Sequence, residues 1–439
     1  MTPAARLQAA IELLDTILGS EAPADAAIAA YLRNRRYIGA GDRREVVERA
    51  YVVLRRRAAL GWWISQRGTA VEVSGRGLTI AALVLLEGWS ADRIAGSFDG
   101  GRYRAKPLST AERALAHALV GQPIEHPEQP RHIRLEYPEW LEPKLAEAFG
   151  AKLETEMAAL MAEAPLDLRV NLLNSTRAQA RAALARAGFE PAETPLSPWG
   201  LRLPGRVALG QVDAFQAGLI EVQDEGSQLI ALLTDAKPGM RVCDFCAGAG
   251  GKSLALAAVM ANKGHITACD VLPGRLDRSA VRLKRAGVHN VERVPLENEG
   301  DPWVKKHKAR FDRVLVDAPC TGIGTWRRNP DAKWRLTPER LSELTQLQAR
   351  ILASAARLVK PGGRLVYATC SLLPEENEAQ LRRFLPSHPD FAHMPVADVW
   401  SALLPVPAPT ASLSLTLTPA GHGTDGFFLA LLERKAAPA

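Results

Sequence analysis

Residues 241–252 read Arg241-Val-Cys-Asp-Phe-Cys-Ala-Gly-Ala-Gly-Gly-Lys252, a short apolar run followed by a glycine-rich turn and the start of a helical sequence. Two later apolar runs also end at reactive side chains. Val314-Leu-Val316 leads into Asp317-Ala-Pro-Cys320, and Arg364-Leu-Val366 leads into Tyr367-Ala-Thr-Cys370. Ligands of open α/β sheets bind beyond the carboxyl ends of the strands, so we expect the glycine turn and both thiols to line one cleft.

Strand-like and helix-like patterns alternate from residue 223 onward. Such alternation predicts a parallel sheet with helices on both faces. The predicted strands are 241–245, 265–270, 291–294, 312–317 and 364–369, with a late apolar strand at 426–432. The predicted helices are 252–261, 273–286, 338–359 and 374–385.

The chain before this sheet divides into two smaller parts. Residues 1–125 are predicted to form an all-α domain, because Leu7, Ile11 and Leu14 have the spacing of one helix face. Asp42 is predicted to cap a second helix. Three prolines between residues 121 and 130 indicate a linker. Residues 131–215 then read as a small α+β segment, and residues 216–436 as the sheet domain.

Positive charge is concentrated near the N-terminus. The chain of 439 residues carries a formal net charge of +7, and residues 31–67 hold ten arginines, no lysine and three acids. Guanidinium groups pair well with phosphate oxygens, so nucleic acid is the first partner to consider. A solvated helical face is the alternative. We expect Arg35, Arg36, Arg43 and Arg44 to contact the nucleic acid.

Cysteine usage indicates a reducing compartment. Five cysteines, at positions 243, 246, 269, 320 and 370, do not form the even set typical of a disulfide framework. No secretory signal is visible, and the uncharged stretch 401–421 contains four prolines, which a membrane helix of ordinary form would not hold. We therefore expect a cytoplasmic protein without a membrane segment. We also expect a monomer that binds no metal.

The glycine turn can be compared with three kinds of cofactor loop. A P-loop requires glycine where Cys246 stands, and a dinucleotide fingerprint requires its third glycine where Ser253 stands. What remains is a turn that enters a helix N-terminus, with Asp270 at the end of the next strand. That carboxylate suits ribose hydroxyls and the helix amides suit a carboxylate, so S-adenosylmethionine fits both ends.

The two strand-end cysteines suggest the chemistry. Cys243 and Cys269 lie within apolar strands and are expected in the core. Cys320 and Cys370 follow strands, where their sulfur atoms can reach a ligand. Carbon 5 of cytosine becomes nucleophilic once a thiolate adds to carbon 6, so one cysteine would serve as nucleophile. The second could assist release, Asp317 could polarise the ring, and the target base must leave its stack.

Asp317-Ala-Pro-Cys320 together with Ala368-Thr-Cys370-Ser371 resembles the Sun-type RNA (cytosine-5) methyltransferases, and most closely those acting on bacterial 16S ribosomal RNA. The resemblance covers about residues 169–434. It includes the motifs Arg169-Val-Asn171, Gln223-Asp-Glu-Gly-Ser227, Arg327-Arg-Asn-Pro-Asp331, Lys360-Pro-Gly-Gly363, Pro374-Glu-Glu-Asn377 and Asp425-Gly-Phe-Phe428. The all-α segment resembles a NusB-like RNA-binding domain.

The resemblance implies a Rossmann-like methyltransferase fold and specific roles. Cys370 would be the nucleophile and Cys320 would help release the product, and Arg327 and Arg328 are added to the expected RNA contacts. The residues expected to hold the cofactor are Cys246, Ala247, Gly248, Ala249, Gly250, Gly251, Lys252, Asp270, Glu297 and Asp317. The chain lacks the proline usual in the family's glycine loop, and Glu297 stands nearest to the family's adenine-binding aspartate.

Several alternatives remain open at this point. The substrate could be transfer RNA or another ribosomal site rather than 16S ribosomal RNA. The chain could also be a non-catalytic RNA-binding protein that keeps the fold, although the two thiols, Asp270 and Asp317 argue against it. A protein or small-molecule methyltransferase would not need paired thiols.

Overall fold

The computed structural model describes residues 1–66, 70–205 and 207–436. The chain forms two compact units. The helical unit comprises Met1–Met161 together with Arg328–Leu336, and the sheet unit comprises Ala162–Arg327 together with the described chain from Thr337 onward. The division into three domains at 1–125, 131–215 and 216–436 stays a prediction.

The helical unit contains no strand in its described residues. Its helices are Pro3–Leu18, Ala24–Arg33, Ala40–Arg55, Arg57–Gln66, Gly75–Leu85, Ala91–Ser97, Thr110–Leu119, Arg131–Arg134, Glu142–Phe149, Leu153–Met161 and Ala332–Arg335. The first helix buries Leu7, Ile11 and Leu14, as its apolar spacing predicts.

The predicted cap at Asp42 is wrong. The helix begins at Ala40 with Gly39 at its cap, so Asp42 lies in the first turn. Its carboxylate accepts hydrogen bonds from the N-terminal ammonium of Met1 (2.8 Å) and from the guanidinium of Arg6 (3.0 Å). These two cations lower the pKa of Asp42. The Asp42 side chain therefore links Met1 and Arg6 to this helix and does not cap it.

The segment Arg328–Leu336 is held inside the helical unit by buried polar contacts. The Asp331 carboxylate accepts from the backbone amide of Ala24 (2.9 Å), at the start of the second helix. Glu136 is fully buried and accepts from the amides of Ala58 and Ala59. Burial raises the pKa of Glu136 to about 7, and burial lowers the pKa of the nearby Lys333 to about 8.

The sheet unit contains two sheets. A small antiparallel sheet has the strand order β2-β3-β1-β4, where β1 is Leu166–Val170, β2 Ala192–Glu193, β3 Gly200–Leu203 and β4 Ile220–Val222. The strands of the large sheet are β5 (Arg241–Asp244), β6 (His265–Asp270), β7 (Val291–Pro295), β8 (Phe311–Asp317), β9 (Val359–Thr369), β10 (Phe391–Met394), β11 (Leu415–Leu417) and β12 (Phe427–Arg434).

The large sheet has the order β10-β12-β9-β8-β5-β6-β7, with β11 paired to β12. Strands β5 to β9 are mutually parallel, while β12 runs antiparallel to β9. The chain moves outward from β5 to β7 and then returns to the other side of β5 at β8. The strand order therefore reverses between β5 and β8, where ligands of such sheets bind. This arrangement confirms the Rossmann-like α/β fold.

Helices cover both faces of the large sheet. The helices of the sheet unit are Arg177–Arg186, Asp213–Gln216, Glu225–Leu233, Gly251–Val259, Pro273–Arg285, Pro302–Lys306, Pro338–Ala356, Glu378–Ser387, Val396–Leu403 and Pro419–His422. Successive residues of β8 point to opposite faces of the sheet and belong to different hydrophobic cores. Val314 and Val316 pack in the same core as Leu352, whereas Leu315 packs in the same core as Leu256. Strands buried on both faces explain the continuous apolar runs in the sequence.

Two predicted boundaries shift for a physical reason. The helix predicted at 374–385 begins only at Glu378, because residues before it fold back towards the end of β9. The Asn377 side chain accepts from the Thr369 hydroxyl (2.6 Å) and donates to the Ser371 carbonyl (3.0 Å). The helix predicted at 338–359 ends at Ala356, and β9 already begins at Val359.

In the described ranges, no helix combines the length and apolar character needed to cross a membrane.

Candidate active site

The glycine turn after β5 needs glycine for steric reasons. Gly250 has a φ of 78°, and a Cβ atom there would lie 2.8 Å from the Cβ of Ser279. The loop is held by the Arg282 guanidinium, which donates to the Ala249 carbonyl (2.7 Å), and by the Ala247 amide, which donates to the Cys269 carbonyl (2.8 Å). The helix that begins at Gly251 therefore has a rigid N-terminus, and the first backbone N–H groups of a helix are free to bind an anionic group.

Asp270 lies at the end of β6 and supports the same turn. It is buried, and its two oxygens accept from the backbone amides of Gly248 and Leu272, each at 2.8 Å. Each carboxylate oxygen retains a second acceptor position that could receive a hydroxyl group. Gly248 has a φ of 55°, and no heavy atom would lie within 4 Å of a Cβ there. A ribose beside an open glycine turn therefore fits this donor and acceptor set.

Glu297 lies apart from these contacts. Its side chain is exposed, and its backbone amide donates to Asp301 (2.9 Å), which caps the short helix Pro302–Lys306. The expectation that Glu297 contacts the adenine stays a prediction.

A buried ion pair joins the glycine turn to β8. Nζ of Lys252 lies 2.6 Å from Oδ2 of Asp317, and the Lys252 side chain is 9% exposed. Burial opposes the lysine charge, but the Asp317 carboxylate raises the pKa of Lys252 above its ordinary value. Lys252 therefore stays protonated and fixes the orientation of Asp317, whose side chain remains about one third exposed, at 32%.

The two predicted thiols lie together. Sγ of Cys320 is 3.3 Å from Sγ of Cys370, and both residues are partly buried. The hydrogen bond with Cys370 and burial raise the pKa of Cys320 well above its ordinary value. Cys320 is therefore a thiol whose S–H can point at the sulfur of Cys370. Cys243 and Cys269 are buried in the core, as predicted.

Glu376 is a site residue that sequence reasoning missed. It is fully buried, and its carboxylate accepts hydrogen bonds from residues that directly follow both cysteines. Thr321 donates through its amide (2.9 Å) and its hydroxyl, and Ser371 donates through its hydroxyl. Gln348 adds a fourth donor at 2.9 Å. The motif Pro374-Glu-Glu-Asn377 was visible, but its pattern suggested the first turn of a helix rather than a buried carboxylate.

The predicted RNA contacts of the helical unit fall into two groups. Arg35 is paired with Glu12 (3.3 Å) and lies over the Tyr31 ring (3.8 Å). Arg43 is partly buried and donates to the Ile38 carbonyl (2.7 Å).

Arg36 and Arg44 are exposed. Their guanidinium groups are therefore better presented to a phosphate than those of the two paired arginines.

The predicted RNA contact at Arg327 needs correction. Its side chain is only 6% exposed and forms ion pairs with Asp425 and with Asp224, the latter at 3.2 Å. It also donates to the Gly423 carbonyl at 3.2 Å. These three partners leave the Arg327 guanidinium unavailable to a phosphate. Arg328, the next residue, is partly buried in the helical unit, and its contact with RNA stays a prediction.

Two known family models match parts of this chain. Residues 231–433 match the family described as 16S rRNA methyltransferase RsmB/F, and residues 137–209 match the ferredoxin-like domain of RsmF/B-like methyltransferases. A probable ribosomal RNA small subunit methyltransferase B of Synechocystis is 38% identical over 304 residues, which are 68% of this chain and 67% of that protein. Ribosomal RNA small subunit methyltransferase B of Yersinia pseudotuberculosis is 34% identical over 68% of this chain and 66% of its own length.

Solved structures show the same fold. The crystal structure of PH0851 is similar over 99% of both chains, with a TM-score of 0.75 and 28% identity. A methyltransferase homolog protein from Pyrococcus horikoshii is 30% identical, with a TM-score of 0.59, over 69% of this chain and 97% of its own. The chain belongs to the RsmB/F family of 16S rRNA methyltransferases, which confirms S-adenosylmethionine as the expected cofactor.

Proposed function

We propose that this protein methylates carbon 5 of a cytosine in 16S ribosomal RNA through a covalent bond between Cys370 and carbon 6 of the base. The observation that carries the proposal is the 3.3 Å contact between the two thiols at the ends of adjacent parallel strands. A methyltransferase acting on an already nucleophilic atom would need neither thiol. A cytosine carbon needs one for attack and gains from a second on release.

The residues of this chain supply three functions. The glycine turn and Asp270 would hold S-adenosylmethionine, which when bound supplies an electrophilic methyl group. Asp317, oriented by Lys252, can accept a hydrogen bond from the exocyclic amine of the base and hold the ring in place. The thiolate of Cys370 adds to carbon 6 and leaves again after carbon 5 has lost its proton to a base.

Cys320 would act on the departing sulfur. Because its pKa is raised, it keeps its proton, and its S–H can donate to Cys370 as negative charge returns to that sulfur. This interaction stabilises the thiolate when the adduct breaks down. Removing Cys320 should therefore slow departure more than attack.

Exposed arginines of the helical unit would supply part of the affinity for RNA. Arg36 and Arg44 can neutralise phosphates, and the release of condensed counterions would make binding dependent on salt. We expect this contribution to be independent of base sequence, because phosphate contacts position the nucleic acid without reading it.

The test compares methyl transfer to protein-free 16S ribosomal RNA and to transfer RNA, using a labelled methyl donor. The wild-type protein should label the ribosomal RNA, and bisulfite sequencing should place the methyl group on one cytosine. Cys370→Ala should abolish both labelling and covalent protein–RNA complexes. Labelling that survives in Cys370→Ala would refute the nucleophile assignment, and labelling of transfer RNA alone would refute the substrate.

A further inference from the structure

Glu376 lies between the two loops that carry the thiols. Thr321 directly follows Cys320, and Ser371 directly follows Cys370. Both residues donate to the same carboxylate: the Thr321 amide to Oε1 at 2.9 Å, and the two hydroxyls to Oε2. The two hydroxyl oxygens are themselves 3.2 Å apart. One buried carboxylate therefore joins the ends of β8 and β9.

The surroundings of Glu376 fix its own position. The Gln348 amide donates both to Oε1 of Glu376 and to the Pro319 carbonyl, each at 2.9 Å. The Tyr367 hydroxyl donates to the Glu376 carbonyl at 2.6 Å. Gln348 belongs to the long helix Pro338–Ala356 and Tyr367 to β9, so the carboxylate is anchored to regular structure on two sides.

The chemistry of this cluster favours an ionised, acceptor-only group. Four donors point at the two oxygens of Glu376, which matches the four acceptor positions of a carboxylate. Its negative charge also contributes to raising the pKa of Cys320, after the larger effects of Cys370 and burial. These hydrogen bonds reach neither sulfur, so the carboxylate fixes the positions of the thiols through Thr321 and Ser371.

We propose that Glu376 is a positioning residue that sets the separation of the two thiols by binding the residue that follows each of them. The inference rests on the proposed function for its catalytic meaning, but the geometry itself can be tested without RNA or methyl donor. Charge-assisted hydrogen bonds are stronger than neutral ones, so this carboxylate adds to the backbone hydrogen bond from the Gly324 amide to the Cys370 carbonyl (2.9 Å) in holding the two loops together.

The experiment measures the rate at which Cys320 and Cys370 form a disulfide in the full chain. The oxidant is diamide, whose azo bond takes the two protons and two electrons that the thiols lose. Peptide mass spectrometry identifies the Cys320–Cys370 linkage apart from other cysteine products. Glu376→Gln keeps the shape but removes the charge, and we expect it to slow this linkage about fivefold or more.

The matched control is Glu225→Gln. Glu225 is also fully buried and accepts from the backbone amides of Leu196 (2.6 Å) and Ser197 (2.7 Å). Its carboxylate also pairs with Arg202 (3.4 Å), and none of these three partners belongs to a cysteine loop. This control should cross-link at the wild-type rate. If Glu376→Gln, folded to the same extent as the control, also cross-links at the wild-type rate, the proposal is wrong.

A second variant tests the same hydrogen bonds from the side of the donors, so that the result does not depend on whether Glu376→Gln folds. The double variant Thr321→Val with Ser371→Ala removes both hydroxyl donors and leaves Glu376 in place. It should slow cross-linking by a similar factor, and adding Glu376→Gln to it should slow the reaction little further, because residues that act through one another are not additive. A wild-type rate in the double variant, or fully additive effects, would overturn the proposal.

The RNA assay then separates positioning from general damage. Glu376 does not touch the glycine turn or Asp270, so Glu376→Gln should lower kcat while the KM for S-adenosylmethionine stays within about twofold of the wild type. A raised KM with an unchanged kcat would contradict the positioning role. If the wild-type protein methylates no RNA, the proposed function fails, yet the cross-linking result still decides the role of Glu376.

Discussion

Asp244, at the end of β5, provides a quantitative test of the electrostatics beneath the glycine turn. Its side chain is buried, Oδ2 accepts from the Ser253 hydroxyl (2.6 Å), and Oδ1 is buried with no hydrogen-bond partner among the described residues. Burial raises its pKa from 3.8 to about 6, the nearby Asp317 adds to the rise, and Ser253 opposes it. Ionised Asp244 is therefore a cost to the folded protein at neutral pH.

The sign and size of the pH effect follow from linkage. The folded protein binds the Asp244 proton more tightly than the unfolded chain, so this contribution to stability is complete at low pH and is lost as pH rises from about 3.8 to about 6. A difference of roughly two pH units corresponds to about 3 kcal/mol at pH 7.5. Between pH 5 and pH 7.5 the wild-type protein should lose about 1 kcal/mol of stability through this residue alone.

The substitution Asp244→Asn removes that loss. Subtracting the wild-type melting temperature from that of the variant gives a difference at each pH, and we expect this difference to be about 1–3 °C larger at pH 7.5 than at pH 5. Taking the difference between two pH values cancels any change in packing caused by the amide. The measurement is thermal unfolding of cofactor-free protein by circular dichroism.

The control is Asp277→Asn, because the Asp277 side chain is 79% exposed. Its melting temperature, relative to wild type, should be the same at both pH values. If Asp244→Asn behaves like this control, then Asp244 does not carry a buried charge at neutral pH. A gain in the stability of Asp244→Asn at pH 5 rather than at pH 7.5 would also contradict a raised pKa for Asp244.

Three further predictions follow from the site and the helical unit. Cys320→Ala should accumulate a covalent protein–RNA complex on denaturing, non-reducing gels, because departure of the nucleophile is slowed; free RNA alone would contradict this. Gly324→Ala should lower stability by about 1–3 kcal/mol in chemical denaturation, because its Cβ would lie 2.1 Å from the Gly426 carbonyl oxygen. Replacing Arg36 and Arg44 by alanine should weaken RNA binding and reduce its salt slope by roughly one to two; an unchanged slope would exclude both arginines from the interface.

The glycine control is Gly274→Ala, since nothing lies within 4 Å of a Cβ at that position. It should change stability far less than Gly324→Ala. An equal loss in both variants would mean that the close approach of Gly324 to the backbone is not the cause.

Much of the sheet could be predicted because its strands are buried on both faces. The apolar runs at Val314-Leu-Val316 and Arg364-Leu-Val366 are local signals, and the parallel register then follows from the helices between them. In that register Asp317 pairs with Ala368, so residues shortly after both positions emerge at one edge. The proximity of Cys320 and Cys370 was therefore predictable, although a distance of 3.3 Å was not.

Other features depend on contacts that no local pattern reports. Arg327 was expected to contact RNA, yet Asp224 and Asp425, about a hundred positions away in opposite directions, form buried ion pairs with it. The role of Glu376 could not be predicted either, since its partners come from the loops that follow β8 and β9 and from the helix Pro338–Ala356. Residues buried by distant partners look like surface residues in the sequence.

The topology of the large sheet separates the residues proposed to hold the cofactor from the thiols proposed to act on the base. The glycine turn and Asp270 follow β5 and β6, on one side of the point where the strand order reverses. Cys320 and Cys370 follow β8 and β9 on the other side. The Lys252–Asp317 pair connects the two halves, because its lysine comes from the glycine turn and its aspartate ends β8. A reaction that brings a methyl donor to a base held by a thiol requires both halves at once, and this ion pair is placed to keep them in register.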